Sequence, residues 1–155
     1  MEISESHVIP APREAVWLAL NDPDVLKDCI PGCKALEAHD ENNLEATVAI
    51  KIGPVKATFQ GAVELSDKVP PESFVISGEG KGGVAGFAKG SAKVALDEHP
   101  EGTLLRYEVS VTIGGKLAQL GARLVTSTSK KLSAQFFECF AERFSDQEKA
   151  AQRLA

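Results

Sequence analysis

The sequence predicts an α+β domain: a curved antiparallel sheet of about seven strands wrapped around a long C-terminal helix, with two short helices after the first strand. Three observations predict it. From Leu44 to Ile113 apolar and polar residues alternate in successive runs joined by short turns, the signature of a meander with one covered face. A proline-free stretch then runs from Lys116 to about Phe144 with apolar residues at helical spacing. Between the first strand and the meander, Pro12 and Pro23 each stand where a helix can start without losing a hydrogen bond.

The elements follow in chain order. Residues 2–9 alternate loosely and carry Ile3 and Ile9, which reads as a strand. Pro12 opens a helix with an apolar face of Ala15, Val16, Ala19 and Leu20 beside the single tryptophan, Trp17. Asp22 caps a second short helix whose first residue is Pro23. Pro31-Gly32 turns the chain. Leu44–Ile52 and Val55–Leu65 alternate on either side of Gly53-Pro54, a tight turn. A proline-rich loop at Val69-Pro70-Pro71 leads to Phe74, Ile76 and Gly78, and further alternating runs cover Ala88–Leu96 and Leu105–Ile113. Gly114-Gly115 ends the meander, and the long helix begins near Lys116. The expected organisation is one domain over residues 1–144 and a polar, helical or frayed tail over 145–155.

Totals exclude several classes of function. The chain has 155 residues and a net charge of −5, which argues against nucleic acid as a partner. No run approaches a membrane span, and MEISESHVIPAPRE has no basic start followed by an apolar run, so no secretion signal is expected. Three cysteines without such a signal point to free thiols in a reducing compartment, the cytoplasm.

The predicted inner face of the sheet is unusual. Ala46, Ala57, Gly61, Gly78, Ala88, Gly90 and Ala92 fall on it with almost no side chain. The helix stripe opposite runs Leu117, Leu120, Leu124, Thr128, Leu132, Phe136 and Phe140, and its middle, Val125-Thr-Ser-Thr-Ser129, is small and polar. Packed interiors tolerate few voids. Two readings stand: small faces small in a tight core, or the two walls enclose a mostly apolar cavity with a few polar handles, the usual form of a small-ligand site. The cavity reading selects Trp17, Phe59, Phe74, Phe87, Tyr107, Leu120, Leu124, Thr128, Leu132 and Phe136 as ligand-binding residues. Phe87, at the start of its strand, has an unsettled facing.

Other motifs carry less. GEGKGG (Gly78–Gly83) has the spacing of a dinucleotide loop, but a strand and not a helix follows it. It reads as a hairpin with glycine-demanding turns, or as a flexible mouth for the cavity. Cys29 and Cys33 lack a second ligand pair, Cys139 is remote, and His7, His39 and His99 do not cluster in the sequence, so no metal site is expected. The inner positions carry no Asp, Glu, Lys or Arg by this assignment, so no acid–base pair presents itself and no catalytic residue is assigned. Lys116, Arg123 and Lys130 recur every seven residues, with Lys131 beside them. They form either a solvated helix face or a contact for phospholipid headgroups or an acidic partner.

Four stretches carry a family resemblance: VWLALNDPDVLKDCIPGCKALE (Val16–Glu37), KIGPVKATFQGAVEL (Lys51–Leu65), GEGKGGVAGFAKGSAKVAL (Gly78–Leu96) and GGKLAQLGARL (Gly114–Leu124). With the element order, they make the chain similar to the family of the carbon monoxide dehydrogenase G subunit, within the START-like, polyketide-cyclase superfamily, whose fold is the helix grip. The resemblance implies a non-catalytic accessory protein of a molybdenum hydroxylase. It implies a quinone- or lipid-like ligand, no covalently bound cofactor, molybdenum-containing dehydrogenase subunits as partners, and recruitment to the inner face of the membrane. Some members carry a C-terminal extension that aids membrane association. This sequence ends in the polar SDQEKAAQRLA, which puts direct anchoring in question. The alternatives from the residues alone are a ligand-free protein–protein adaptor and a cyclase- or dehydratase-like enzyme.

Overall fold

In the computed structural model, which describes the backbone of residues 1–154 and side chains through Ser145, one seven-stranded antiparallel sheet has the order β1-β7-β6-β5-β4-β3-β2. Its strands are β1 (Glu2–Ile9), β2 (Cys33–Ala38), β3 (Asn43–Ile52), β4 (Val55–Val69), β5 (Ser73–Lys81), β6 (Phe87–His99) and β7 (Gly102–Gly114). Helices α1 (Arg13–Leu20) and α2 (Pro23–Cys29) lie between β1 and β2. Asp22 accepts a hydrogen bond from the Asp24 amide at 2.9 Å, which caps α2. Only β1 pairs out of sequence order, closing on β7 with Glu5 opposite Tyr107.

The C-terminal helix departs from expectation. It is two helices, α3 (Lys116–Gln119) and α4 (Ala122–Leu154), separated at Gly121 with φ +92°. That left-handed value stops α3 and lets α4 leave in a new direction. The stripe from Leu117 to Phe140 is therefore not one continuous helix face. Lys116 likewise belongs to a different helix from Arg123 and Lys130, which corrects the three-residue basic stripe; the latter two remain exposed on α4. The backbone of α4 continues to Leu154, within the tail expected from residue 145.

The cysteines need a second correction. The structure joins Cys29 at the end of α2 to Cys139 on α4 as a disulfide, with Cα atoms 5.4 Å apart, and leaves Cys33 free. The cross-link ties the long helix to the helical corner next to β1. Two residues 110 apart give no sequence signal of pairing.

Alternation places side chains on two faces. Ile3, Phe59, Leu65, Phe74, Val94, Leu96, Leu105 and Tyr107 are buried on the inner face. The core they build with the helices is in two parts. One gathers α1, α2 and the distal half of α4 around Trp17, Phe74, Leu105, Phe140 and Phe144. The other lies at the β3–β4 hairpin, where Ile52, Phe59, Ala85 and Leu117 are joined by Leu120 and Leu124.

Candidate functional site: a small-residue gap between sheet and helix

The two cores are separated by the rows of the sheet that carry the least side chain. The register aligns Ala46, Gly61, Gly80, Ala88 and Ile113 in one row across β3–β7. The next row is Leu44, Val63, Gly78, Gly90 and Val111. Except for Leu44, these inner-face residues are only partly buried. On α4, Thr128, Ser129, Leu132 and Ser133 are also partly buried.

The glycines report how near the helix comes. A Cβ added at Gly78 would meet only the Ala62 carbonyl oxygen at 3.4 Å and Val63 Cγ2 at 3.6 Å. One added at Gly80 would meet only Phe59 atoms, the nearer at 3.7 Å. Among the described residues no atom of α4 lies within 4 Å of either position. At Gly53, by contrast, Leu124 Cδ2 comes to 3.0 Å. The helix thus seats on the β3–β4 hairpin and stands off from the middle of the sheet. Tight packing of small against small does not hold at Gly78 and Gly80. Five depressions of 320–520 Å³ are cut elsewhere, four into the outer face of the sheet and one where Pro10–Glu14 meets His99–Gly102. They are open to solvent, and the largest is lined by charged and polar residues such as Glu37, Glu45, Gln60, Glu79 and Lys81.

The ten residues proposed for the ligand separate into groups. Trp17 and Phe74 meet edge-to-face at 5.2 Å inside the first core, which Phe136 borders. Phe59 belongs to the second core, with Leu120 and Leu124 packed against it. Thr128 and Leu132 stand between the two cores. Tyr107 is buried on the first-core side of the gap. Phe87 faces the other way. It pairs with Gly114, one position out of step with inward Ala88, and its ring covers Gly114 from outside. The loop after β5 makes a short helical turn over Gly83–Ala85, with the glycine-demanding packing that the hairpin reading expects: a Cβ at Gly82 would lie 2.6 Å from the Phe59 ring, and one at Gly86 would run into Gly114.

Sequence reasoning missed one part of the site. Ile3 and Ile9 face inward, so Glu5 and His7, at the same parity, do too. The inner face therefore does carry an acidic residue, contrary to expectation. The Tyr107 hydroxyl donates to Glu5 Oε2 at 2.7 Å, and Ser133 of α4 faces the same phenol. His7 stacks on Phe137 of α4 with centroids 4.3 Å apart, and Phe137 stacks on Tyr107 at 5.3 Å. The buried Nε2 of His7 has no hydrogen-bond partner and lies 3.8 Å from Glu5 Oε2. Burial holds the His7 imidazole below the usual histidine range, against the pull of the Glu5 charge. Burial, reinforced by the bond to Glu5, pushes the Tyr107 phenol up to about 12. The signal was present in the sequence as the parity of Ile3 and Ile9.

One histidine gains acidic neighbours that the sequence order does not show. The β2–β3 register brings Glu37, His39 and Glu45 together on the outer face, with ligand-type atoms within 4.8 Å of one another. All three are exposed, and His39 Nε2 pairs with Glu45 at 3.2 Å.

A curved sheet gripping a long C-terminal helix, with a gap between them, defines the helix-grip class of START-like proteins. A START superfamily protein from Mycobacterium smegmatis shares the fold at 14% identity and TM-score 0.69, over 94% of this chain and 98% of that one. A protein from Thermus thermophilus matches at 18% identity and TM-score 0.69, over 92% and 96%. A conserved protein from Geobacillus kaustophilus is nearer, at 31% identity and TM-score 0.88 over 94% of this chain and 96% of that one. The family model for CoxG, the G subunit of carbon monoxide dehydrogenase, matches residues 6–145, and the chain belongs to that family. No curated protein sequence matches it. Among the described residues no helix is long and apolar enough to cross a membrane.

Proposed function

We propose that the protein is a non-catalytic accessory protein of a molybdenum hydroxylase of the carbon monoxide dehydrogenase type. It binds an apolar, quinone- or lipid-like molecule between the sheet and α4, and helps couple or recruit the enzyme to the inner face of the membrane from the cytoplasm. Family membership supports the accessory role. The observation that carries the ligand is the divided core: two packed clusters, and between them partly buried glycine and alanine rows that α4 does not touch at Gly78 or Gly80. An apolar occupant would join the two clusters and remove that surface from water.

Native mass spectrometry of the purified protein tests the reading, together with organic extraction. A co-purifying apolar molecule in a one-to-one complex is the expected result. A protein that carries nothing and binds no apolar probe would leave the adaptor reading in its place. The enzyme reading gains one specific support, a carboxylate and a phenol hydrogen-bonded on the inner face. Turnover of a bound cyclic ketone or enol that is abolished by Glu5→Gln would favour it.

A further inference from the structure

The gap is not uniformly apolar, and the polar end has a definite chemistry. Glu5, Tyr107 and Ser133 meet at the β1 side of the gap, with Ser133 next to Leu132 and just over one turn of α4 beyond Thr128. Tyr107 has its hydroxyl engaged by Glu5 Oε2. Among the described residues Glu5 Oε1 accepts no hydrogen bond, and the Glu5 side chain keeps 29% of its exposure. One carboxylate oxygen is therefore free to accept a hydrogen bond from whatever occupies the gap. No lysine or arginine shares the inner rows of β1 and β3–β7. The neighbouring histidine is held toward its neutral form by burial. Among these residues nothing offsets the negative charge. Phe137 stacks on both His7 and Tyr107, which also stack on each other at 5.9 Å, so the residues around Glu5 include a cluster of flat aromatic rings.

We propose that Glu5, Tyr107 and Ser133 form a head-group subsite that selects neutral aromatic or ring-bearing ligands with a hydroxyl group and turns away carboxylates and phosphates. The proposal rests on the reading that the gap holds a ligand. The ligand hydroxyl donates to Glu5 Oε1. Tyr107, which donates to Glu5 Oε2, fixes the carboxylate from behind, and Phe137 flanks the ring. An anionic head group would bring a second negative charge into a partly desolvated site with no cation, which is costly. This sets the site apart from one built for a free fatty acid.

The test measures dissociation constants by calorimetry for 2-naphthol, 2-naphthoate and 2-methylnaphthalene, with wild-type protein and with Glu5→Gln and Tyr107→Phe. Wild type should bind the naphthol at least about tenfold more tightly than the naphthoate, the scale of one hydrogen bond to a charged acceptor. In Glu5→Gln that preference should collapse while 2-methylnaphthalene affinity stays within about twofold. Tyr107→Phe should weaken naphthol binding by a smaller factor, about threefold, because it frees the carboxylate without removing it. Equal binding of naphthol and naphthoate by wild type would overturn the subsite, and so would a preference that survives Glu5→Gln. If 2-methylnaphthalene binds in either case, the cavity reading stands without the subsite. If none of the three binds, the cavity reading itself fails and takes the subsite with it. Should Glu5→Gln not fold, the wild-type order of the three probes still decides.

Discussion

Gly78→Leu separates a hollow gap from a tight one by the sign of its effect on stability. Gly78 lies mid-strand, outside the positive-φ glycines, and an added Cβ makes only ordinary contacts, at 3.4 Å and 3.6 Å, with β4. A leucine there projects toward α4. If the space is free, its side chain removes apolar surface from water on both walls. Full burial of such a side chain contributes about 1.5–3 kcal/mol. Because the neighbouring residues remain partly exposed, roughly half of that applies. Replacing a strand glycine adds about 0.5–1 kcal/mol through the unfolded chain. The expected sum is a gain of about 1.3–2.5 kcal/mol, which for a chain of this size raises the thermal midpoint by roughly 3–10 °C. The same variant should lose binding of any apolar probe. If the walls were in contact, the leucine would be overpacked and cost about 1–3 kcal/mol. Urea unfolding followed by circular dichroism reads the sign, provided the slope with denaturant stays constant. A clear loss of stability in Gly78→Leu would refute the hollow gap. Gly90→Ala is the internal contrast: its Cβ would lie 2.5 Å from the Ser110 carbonyl oxygen and 3.0 Å from Val111 Cγ2, so it should destabilise in either case.

Four further measurements bear on the structure. The chain has a single tyrosine, so near-ultraviolet phenolate absorbance titrates Tyr107 alone, with an expected native midpoint near 12 against an ordinary 10.0. Because the folded value is raised, the stabilisation this group provides is complete below the unfolded value and is lost as pH climbs through 12; a native midpoint near 10 would contradict the buried bond to Glu5. His7 runs the opposite way: its folded value is depressed below 6.5, so its contribution is present above 6.5 and declines as pH falls below it, and His7→Gln should flatten that part of the stability profile. Thiol titration of the unreduced, denatured protein should find one free cysteine, rising to three after reduction, and reduction should cost about 2–4 kcal/mol of stability; three thiols at the outset would refute the α2–α4 cross-link. Arg123→Glu with Lys130→Glu should reduce flotation with anionic phospholipid vesicles several-fold at low salt if this exposed pair meets the membrane, and unchanged flotation would assign it to solvent.

What could be read from the sequence divides along a physical line. Alternation has a period of two, so once Phe74 and Leu96 are known to face the core, parity assigns a face to the other residues of their strands. That is why Gly61, Gly78 and Gly90 are legible in the sequence as parts of an inner wall. Glu5 obeys the same parity, set by Ile3 and Ile9, yet a charged residue contradicts the usual composition of a core face and so reads as outward. The contradiction was the information: a carboxylate held inside needs a partner, and Tyr107, backed by Ser133, is that partner. Features outside local periodicity were less accessible. Gly121 sits in QLGARL, where a helical stripe can be drawn straight through it; only its φ of +92° distinguishes a tolerated glycine from a helix end. The Cys29–Cys139 pair depends on how α4 returns to α2, a long-range outcome with no local signature. The kink and the cross-link together explain how the gap persists. Gly121 sends α4 off the β3–β4 hairpin, where Leu124 is seated against Gly53. Phe140, Phe144 and the disulfide hold its far half against α1 and α2. A helix fixed at both ends need not follow the sheet between them, so among the described residues α4 can stay more than 4 Å from added side-chain carbons at Gly78 and Gly80 without releasing the fold.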